Sequence, residues 1–338
     1  MKKHMILLFV VLLLLLAFLF AFFIIKAPYQ KDIVWGVNFS QSQTEALKLD
    51  WRKTYTSVME ELGARHIKLI TQWDWVEGKR GEYFFSDIDW QVQEAEKRGV
   101  SLVFVIGMKT GRWPECHLPP WTASLSKQEQ QEELLQYLRT MVLRYKGSKA
   151  ITVWQVENEA LFRFGVCPWY DKEFLKKEVA LVKSLDATRQ VIISDSGEQS
   201  LWFKAAAIGD RVGVTMYRRA WFHLTDGIGF YFNFPLTPVT YWYKSKLIEY
   251  FFKKEVICVE LQAEPWNSRF FYNVPLQEQE KTMNLDQFRA NIAYAKATGM
   301  KEFYLWGTEW WYWLKESHGR PEIWEEAKML FQTRYGKK

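Results

Sequence analysis

The 338-residue sequence has few histidines and cysteines, five and three respectively. None of the histidines stands in an H-x-H or H-E-x-x-H spacing, the patterns typical of catalytic metal sites. The net charge of +6 is mild, and Lys and Arg are interspersed with Glu rather than gathered into a basic stripe. A metal-dependent site is therefore the weaker alternative, no cofactor is implied, and no nucleic-acid partner is expected.

Apolar and aromatic residues are abundant instead. Hydrophobic residues make up 49% of the chain and aromatic residues 17%, including 18 Trp. Several of these Trp stand beside turn residues and acids, a setting suited to stacking against the apolar faces of sugars. The length allows two average domains, or one α/β barrel of ordinary size behind a short N-terminal segment.

Residues 5–25 form one uninterrupted apolar run behind Lys2 and Lys3, long enough to cross a bilayer as a helix. The run exceeds the apolar core of a signal peptide, and no small-x-small cleavage site precedes Lys26, so an uncleaved anchor is favoured. Secretion after signal cleavage stays open as the alternative. The predicted organisation is single-pass: a cytoplasmic tail (1–4), a transmembrane signal-anchor helix (5–25), a linker (26–31) and a catalytic domain outside the cytoplasm (32–338).

The remaining chain alternates between strand and helix patterns. Apolar strands are predicted at 33–38, 66–70, 101–106, 151–156, 190–194, 211–216, from 254 to an end at Glu260, and at 302–306. A capping box, Ser126-x-x-Glu129, begins the third helix, and a long aromatic loop with Pro235 and Pro238 follows the sixth strand. Eight such units without a break in composition predict an α/β fold, a single (β/α)8 TIM barrel. A doubly wound open sheet is the alternative.

Two of the strands end on acids. Glu157-Asn158-Glu159 follows the fourth strand, and Glu260 ends the seventh. Barrel enzymes keep their chemistry at the carboxyl ends of the strands, so Glu159 and Glu260 are expected on one rim. Two carboxylates across such a mouth suit glycoside hydrolysis, in which one protonates the leaving oxygen and the other attacks or stabilises the anomeric centre.

Three further acids compete for these roles. Glu157 is an alternative to Glu159, but its side chain points away from that of Asn158 if the strand continues. Glu264 is an alternative nucleophile to Glu260, but Pro265 after it indicates a loop position. Glu198 lies in a turn after the fifth strand, where it either reaches the substrate or caps a helix.

In these motifs the chain resembles clan A glycoside hydrolases, the retaining barrel enzymes. The likeness covers most of residues 32–332 and is carried by Trp154-Gln155-Val156-Glu157-Asn158-Glu159 and Val259-Glu260-Leu261-Gln262-Ala263. It implies that Glu159 is the acid/base, Glu260 the nucleophile and Asn158 a ligand of the sugar 2-hydroxyl. It also implies that Tyr217 binds the nucleophile, that Trp306 floors the subsite at the cleaved bond, and that the segment from Trp73 is a substrate loop. Trp113, Trp266 and Trp310 are either sugar platforms or packing residues.

The expected function is therefore that of a membrane-anchored retaining β-glycosidase acting on a β-linked oligo- or polysaccharide. Lys68 stands where the clan usually has an Arg, and a Lys cannot form a two-pronged contact with the nucleophile. That departure is the main argument for the alternative, a non-catalytic glycan-binding or envelope-scaffold protein on a degenerate barrel; the intact pair Glu159 and Glu260 argues against it.

The three cysteines divide into a pair and a single residue. Cys116 and Cys167 fall in the loops after the third and fourth strands, which are adjacent in a barrel, so a disulfide between them is predicted outside the cytoplasm. Cys258 lies within the apolar seventh strand and is expected to be a buried free thiol.

Overall fold

The computed structural model describes residues 4–13, 16, 26–225 and 228–335. Eight parallel strands close into a barrel in the order β1-β10-β9-β6-β5-β4-β3-β2, and β7 and β8 form a separate hairpin. The strands are β1 (Val34–Ser40), β2 (His66–Ile70), β3 (Ser101–Ile106), β4 (Ile151–Val156), β5 (Gln190–Asp195), β6 (Arg211–Met216), β7 (Arg219–Thr225), β8 (Ile228–Asn233), β9 (Val256–Gln262) and β10 (Glu302–Trp306). The predicted (β/α)8 barrel is confirmed.

Helices surround the barrel. They are α1 (Gln41–Ala46), α2 (Trp51–Glu60), α3 (Trp73–Val76), α4 (Ser86–Lys97), α5 (Lys127–Tyr145), α6 (Lys172–Leu185), α7 (Phe203–Ala206), α8 (Pro238–Phe252), α9 (Leu276–Gln279), α10 (Leu285–Lys296), α11 (Thr308–His318) and α12 (Glu322–Tyr335), with short 3-10 turns at Pro120–Ser124 and Phe271–Asn273. The predicted capping box at Ser126 is present, with each side chain bonded to the other residue's backbone N–H. These caps satisfy the N–H groups that a helix leaves unpaired.

The core has two layers because both faces of a barrel strand are buried. A large outer layer packs the strands against the helices. A smaller cluster is contributed by inward-facing residues of five strands: Val103, Val153, Ile192, Ile257, Val259 and Tyr304. Lys68 pairs in register with Val103 and so points inward as well, which brings a charged group into the barrel beneath its upper rim.

The prediction of a long aromatic loop after β6 is wrong in part, because this stretch contains the two strands of a hairpin, β7 and β8. Strands β7 and β8 pair antiparallel, with Phe222 opposite Phe230 and Trp221 opposite Tyr231. Cross-strand pairs of large apolar side chains stabilise such a hairpin, and Asp226-Gly227 in the sequence between the strands is typical of a hairpin turn. A hydrogen bond from Trp221 N–H to the carbonyl of Trp266 joins the hairpin to the loop after β9.

At the N-terminus, residues 4–13 are helical. Within the ranges that the structure describes, no helix combines the length and apolar character needed to cross a membrane. About half of the transmembrane helix predicted over 5–25 falls on residues outside those ranges, and the structure does not support that prediction.

Candidate active site

A pocket opens at the carboxyl ends of the barrel strands. The space between its walls, including the part open to solvent, is about 450 Å³. Seven residues singled out from the sequence line it: Asn158, Glu159, Glu198, Tyr217, Glu260, Trp266 and Trp306. The topology thus gathers residues from the ends of β4, β5, β6, β9 and β10 at one mouth.

Glu260 is held by two donors. Lys68 Nζ lies 2.8 Å from Glu260 Oε1, and Tyr217 OH lies 2.8 Å from Oε2. Both partners are largely shielded from solvent, and the Lys68 side chain is fully buried. Hydrogen bonds to both carboxyl oxygens, one of them from an ammonium group, fix the orientation of Glu260.

Lys68 also links Glu260 to Asn158. Its ammonium group donates to Asn158 Oδ1 at 3.0 Å, and Gln155 Nε2 donates to the same oxygen at 3.1 Å. Because the oxygen is occupied in this way, the amide NH₂ of Asn158 is the group left to donate to a ligand in the pocket. Lys68 therefore makes point contacts to two predicted site residues, although it lacks the fork of an Arg.

Glu159 is a buried carboxyl group of a different kind. Its Oε1 accepts a hydrogen bond from Thr215 Oγ1 at 3.0 Å, and its N–H donates to Ser194 Oγ at 2.8 Å. Burial first, and then the negative charge of Glu260, raise the pKa of Glu159 well above its usual range. Glu159 is thus suited to hold a proton at neutral pH, whereas Glu260 is bound to a cation.

Glu198 lies next to Glu159 on the same wall. Its Oε1 accepts from Tyr217 N–H at 2.6 Å and from Tyr241 OH at 2.9 Å, while its Oε2 lies 3.3 Å from Thr215 Oγ1. Burial raises the pKa of Glu198. The turn that carries Glu198 therefore brings a third carboxyl group to the mouth and does not cap a helix with it.

The two rival acids point elsewhere. Glu157 has a φ of 60° and turns its Oε1 to the backbone N–H of Met108, 2.9 Å away, in the adjoining loop. Glu159 has a φ of 47°, so the end of β4 carries two left-handed residues, a strained conformation that is common at functional sites. Glu264 is ion-paired with Arg112 and does not line the pocket.

Arg112, which the sequence did not single out, supports Trp306. Its guanidinium lies 4.1 Å from the centre of the Trp306 ring and is bound by Glu264 and, at 2.9 Å, by Glu309. Lys68 Nζ lies 5.7 Å from the same ring centre, so Trp306 lines the pocket between two cations.

Glu115 was also missed from the sequence. It lines the pocket, is 8% exposed and has a φ of 77°, and its carboxyl group has no hydrogen bond within the described part of the chain. Burial raises the pKa of Glu115 to about 7. No strand ends at Glu115, so the strand and helix pattern of the sequence did not identify it as a site residue. Its position next to Cys116 was the only feature of the sequence that could have drawn attention to it.

The remaining tryptophans divide between rim and core. Trp266 lines the pocket with its ring 4.8 Å from that of Tyr217, and Trp113, 53% exposed, lies 6.4 Å from the ring of Phe164. Trp73 and Trp310 are buried in the hydrophobic core and do not reach the pocket. An aromatic edge thus borders the mouth on the side of β9.

The predicted disulfide is present. Cys116 and Cys167 are bonded and join the loops after β3 and β4, while Cys258 is a buried free thiol, as expected. The bridge lies next to Glu115, so it restrains one wall of the pocket. Among the described residues, no group of His, Cys, Asp and Glu side chains is arranged to hold a metal ion.

Structural comparison supports the fold. Xylanase 10B from Thermotoga petrophila RKU-1, solved with xylobiose, has a TM-score of 0.57 at 16% identity over 90% of this chain and 95% of that one. A GH5_18 protein from Bifidobacterium longum subsp. longum ATCC 55813 has a TM-score of 0.62 at 12% identity, over 91% and 80%. The exo-beta-1,4-mannosidase Op5Man5 from Opitutaceae bacterium strain TAV5 has a TM-score of 0.59 at 13% identity, over 93% and 63%.

Sequence comparison supplies the family. Comparison with curated proteins gives no match. The sequence profile of glycosyl hydrolase family 10, however, matches residues 30–338, which is nearly the whole barrel domain. The chain therefore belongs to glycosyl hydrolase family 10 and is a glycosidase.

Proposed function

We propose that the protein is a retaining β-glycosidase in which Glu260 is the nucleophile and Glu159 the acid/base. The observation that carries this proposal is the contrast between the two carboxyl groups. Glu260 is paired with the ammonium group of Lys68 and bound by Tyr217, whereas burial and the charge of Glu260 raise the pKa of Glu159 and so favour its protonated form. Double displacement needs one group in each state.

The reaction runs in two steps. Glu159 gives its proton to the departing glycosidic oxygen while Glu260 attacks the anomeric carbon and forms a glycosyl-enzyme. Glu159, now ionised, takes a proton from water, and the water oxygen displaces Glu260 with net retention. Lys68 and Tyr217 orient the carboxylate before attack, and Asn158 is proposed to bind the sugar hydroxyl next to the anomeric carbon.

The proposed substrate is a neutral β-linked oligo- or polysaccharide. The similar structures include proteins described as a xylanase and a beta-1,4-mannosidase, which supports a β-1,4 linkage among the candidates. Trp266 and Trp306 in the pocket and Trp113 at the rim provide aromatic surfaces for sugar rings, and the Glu115 carboxyl group provides a hydroxyl acceptor. The buried Lys68 bonds to both Glu260 and Asn158, which weighs against a degenerate, purely glycan-binding barrel.

Hydrolysis of a panel of aryl β-glycosides tests the reaction. The panel comprises the xyloside, mannoside, glucoside and galactoside, with β-1,4-linked oligosaccharides of the same sugars. We expect turnover of at least one, with the β-anomer of the product appearing first by proton NMR. First appearance of the α-anomer would indicate inversion and contradict the assigned roles.

We further propose that residues 5–25 anchor the enzyme in a membrane, with the barrel outside the cytoplasm. The uninterrupted apolar run supports this. The apolar residues of the run that lie in the described part of the chain are between 44% and 75% exposed, so the barrel does not bury them. The Cys116–Cys167 disulfide is in keeping with an oxidising compartment.

A further inference from the structure

The hydroxyl group of Thr215 has three polar partners. Its Oγ1 lies 3.0 Å from Glu159 Oε1, 3.3 Å from Glu198 Oε2 and 3.0 Å from the backbone N of Gly197. Thr215 is 1% exposed, so water does not compete for these contacts. The hydroxyl thus bridges the proposed acid/base and a third carboxyl group.

Counting protons restricts how these contacts form. A threonine hydroxyl has one hydrogen to donate and two lone pairs to accept with. The Gly197 N–H takes one lone pair, and the hydroxyl hydrogen points to one of the two carboxyl groups. The other carboxyl group forms a full two-centre bond to Thr215 only by donating a proton of its own into the second lone pair, since one hydrogen shared between both acceptors gives two weaker contacts. Both bonds therefore require one proton on the pair Glu159 and Glu198.

Glu198 is fixed for this role from its other side. Its Oε1 receives the N–H of Tyr217 and the OH of Tyr241, and the Tyr217 hydroxyl binds Glu260. These donors hold the Oε1 atom, which leaves Oε2 to face Thr215. No other described group reaches Oε2 except Ser196 Oγ, at 3.4 Å.

We propose that Glu198 is a positioning residue that shares one proton with Glu159 through the Thr215 hydroxyl, and so keeps the acid/base protonated between turnovers. This inference rests on the proposed role of Glu159. When the proton resides on Glu198, it passes to Thr215 Oγ1 as the Oγ1–H bond breaks and that hydrogen passes to Glu159 Oε1. One O–H bond is lost on Glu198, one is gained on Glu159, and the threonine is unchanged.

The charges around the pair suit a single shared proton. Glu260 and Glu115 face Glu159 with negative charge, and Lys109, whose Nζ binds the carbonyl of Glu159 at 3.0 Å, partly offsets them. Lys244 faces Glu198 and binds the carbonyl of Gly197. Burial raises the pKa of both carboxyl groups, so losing the last proton from the pair is disfavoured while the first is lost more readily.

The decisive variant is Glu198→Gln. The amide is neutral and donates permanently to Thr215 Oγ1, so the hydroxyl hydrogen points to Glu159 and stabilises its ionised form. The pKa of Glu159 should fall by about one unit or more. ¹³C NMR of the glutamate-labelled protein measures this titration directly, with the Glu159 signal assigned by its loss in Glu159→Gln, and the readout does not depend on turnover.

Thr215 provides the matched controls. Thr215→Val removes the bridge at nearly constant volume, and Thr215→Ser keeps the hydroxyl. In the Val background, Glu198→Gln should shift the Glu159 titration by less than half of the wild-type amount; in the Ser background the full shift should remain. An interaction acting only through space would give the same shift in all three backgrounds.

The alkaline limb of the pH–rate profile should move to lower pH in Glu198→Gln, by the amount seen in the NMR titration. Absence of turnover on the glycoside panel would contradict the proposed function while the NMR titration still decides the shared proton. An unchanged Glu159 titration in Glu198→Gln, or a shift that is undiminished with Thr215→Val, would overturn the inference.

Discussion

At the scale of single residues, replacing each of the two glutamates across the pocket should reduce turnover in a different way. Glu260→Ala should lose essentially all turnover on every substrate, because the covalent step has no other nucleophile. Glu159→Ala should lose roughly a hundred- to ten-thousand-fold on natural linkages but far less on an activated aryl glycoside, whose leaving group departs without a proton. Steady-state rates on both substrate types measure the contrast.

Glu264→Gln is the matched control for that comparison. Glu264 lies two positions beyond Gln262, the end of β9, and is paired with Arg112 outside the pocket. Its loss should leave the leaving-group dependence unchanged. If Glu264→Gln abolished turnover while Glu260→Ala merely slowed it, the nucleophile would be assigned wrongly.

The raised pKa of Glu159 makes a prediction about pH. A group whose pKa is raised by burial and by Glu260 stays protonated at neutral pH, and loses its proton only as the pH rises through that higher pKa. Hydrolysis of poor leaving groups should therefore persist through neutral pH and fall on the alkaline side. The pH–rate profile of kcat/KM measures this, and Glu159→Ala with an activated substrate should lack that limb. Loss of activity already below pH 5 on that limb would contradict the assignment.

The buried pair of Lys68 and Glu260 makes a prediction about stability. Lys68→Met leaves a buried carboxylate without its cation, and breaking such a pair costs about 3–5 kcal/mol. Adding Glu260→Gln removes the orphaned charge and should restore most of that loss. Urea unfolding of the two single variants and the double variant measures the coupling. Additive losses in the double variant would mean that the pair contributes no coupling.

At the scale of elements, the disulfide restrains two loops after neighbouring strands. Its cysteines are 51 residues apart, and replacing both by Ser should lower the free energy of unfolding by about 2–4 kcal/mol. Reductant should destabilise the wild type by the same amount and leave the double Ser variant unaffected. Cys258→Ala, which keeps the bridge, should remain sensitive to reductant. Equal stability of oxidised and reduced wild type would show that the bridge contributes nothing.

The elements were largely predictable because their pattern is local. Apolar strands, helix caps and acids at strand ends are read within a few residues, and these gave the eight barrel strands and the positions of Glu159 and Glu260. The hairpin of β7 and β8 was missed although Asp226-Gly227, a dipeptide typical of hairpin turns, separates its strands in the sequence. Glu115 and Arg112 were not predicted because their positions depend on loop geometry rather than on periodicity.

Tryptophan illustrates the same limit. A Trp beside a turn suits either a sugar platform or the core, and only packing decides. Trp73 stacks on Tyr137 inside the core, whereas Trp306 lies at the pocket with Arg112 beneath it. Only the position of Trp306 at the end of the eighth strand, read with the resemblance to clan A enzymes, pointed to the pocket.

At the scale of the whole molecule, the N-terminal segment predicts where the enzyme is found. If residues 5–25 are an uncleaved anchor, the full-length protein should stay with membranes through alkaline and high-salt washes, at full mass. A variant lacking residues 1–25 is the matched control and should be released while keeping its activity on the glycoside panel. A mature form beginning near Ala27 in the soluble fraction would favour signal cleavage instead.

The absence of a Cβ atom at Gly197 sets the distance between the turn that carries Glu198 and strand β6. A Cβ on Gly197 would lie 1.7 Å from the carbonyl oxygen of Thr215, so the turn that carries Glu198 can approach β6 only because residue 197 has no side chain. Gly197→Ala would therefore act as a wedge. It would push two carboxyl groups apart while every functional group of the site remained in the protein. A substitution at residue 197 would thus change the distance between the carboxyl groups, and with it their hydrogen bonding, without replacing any of the acids.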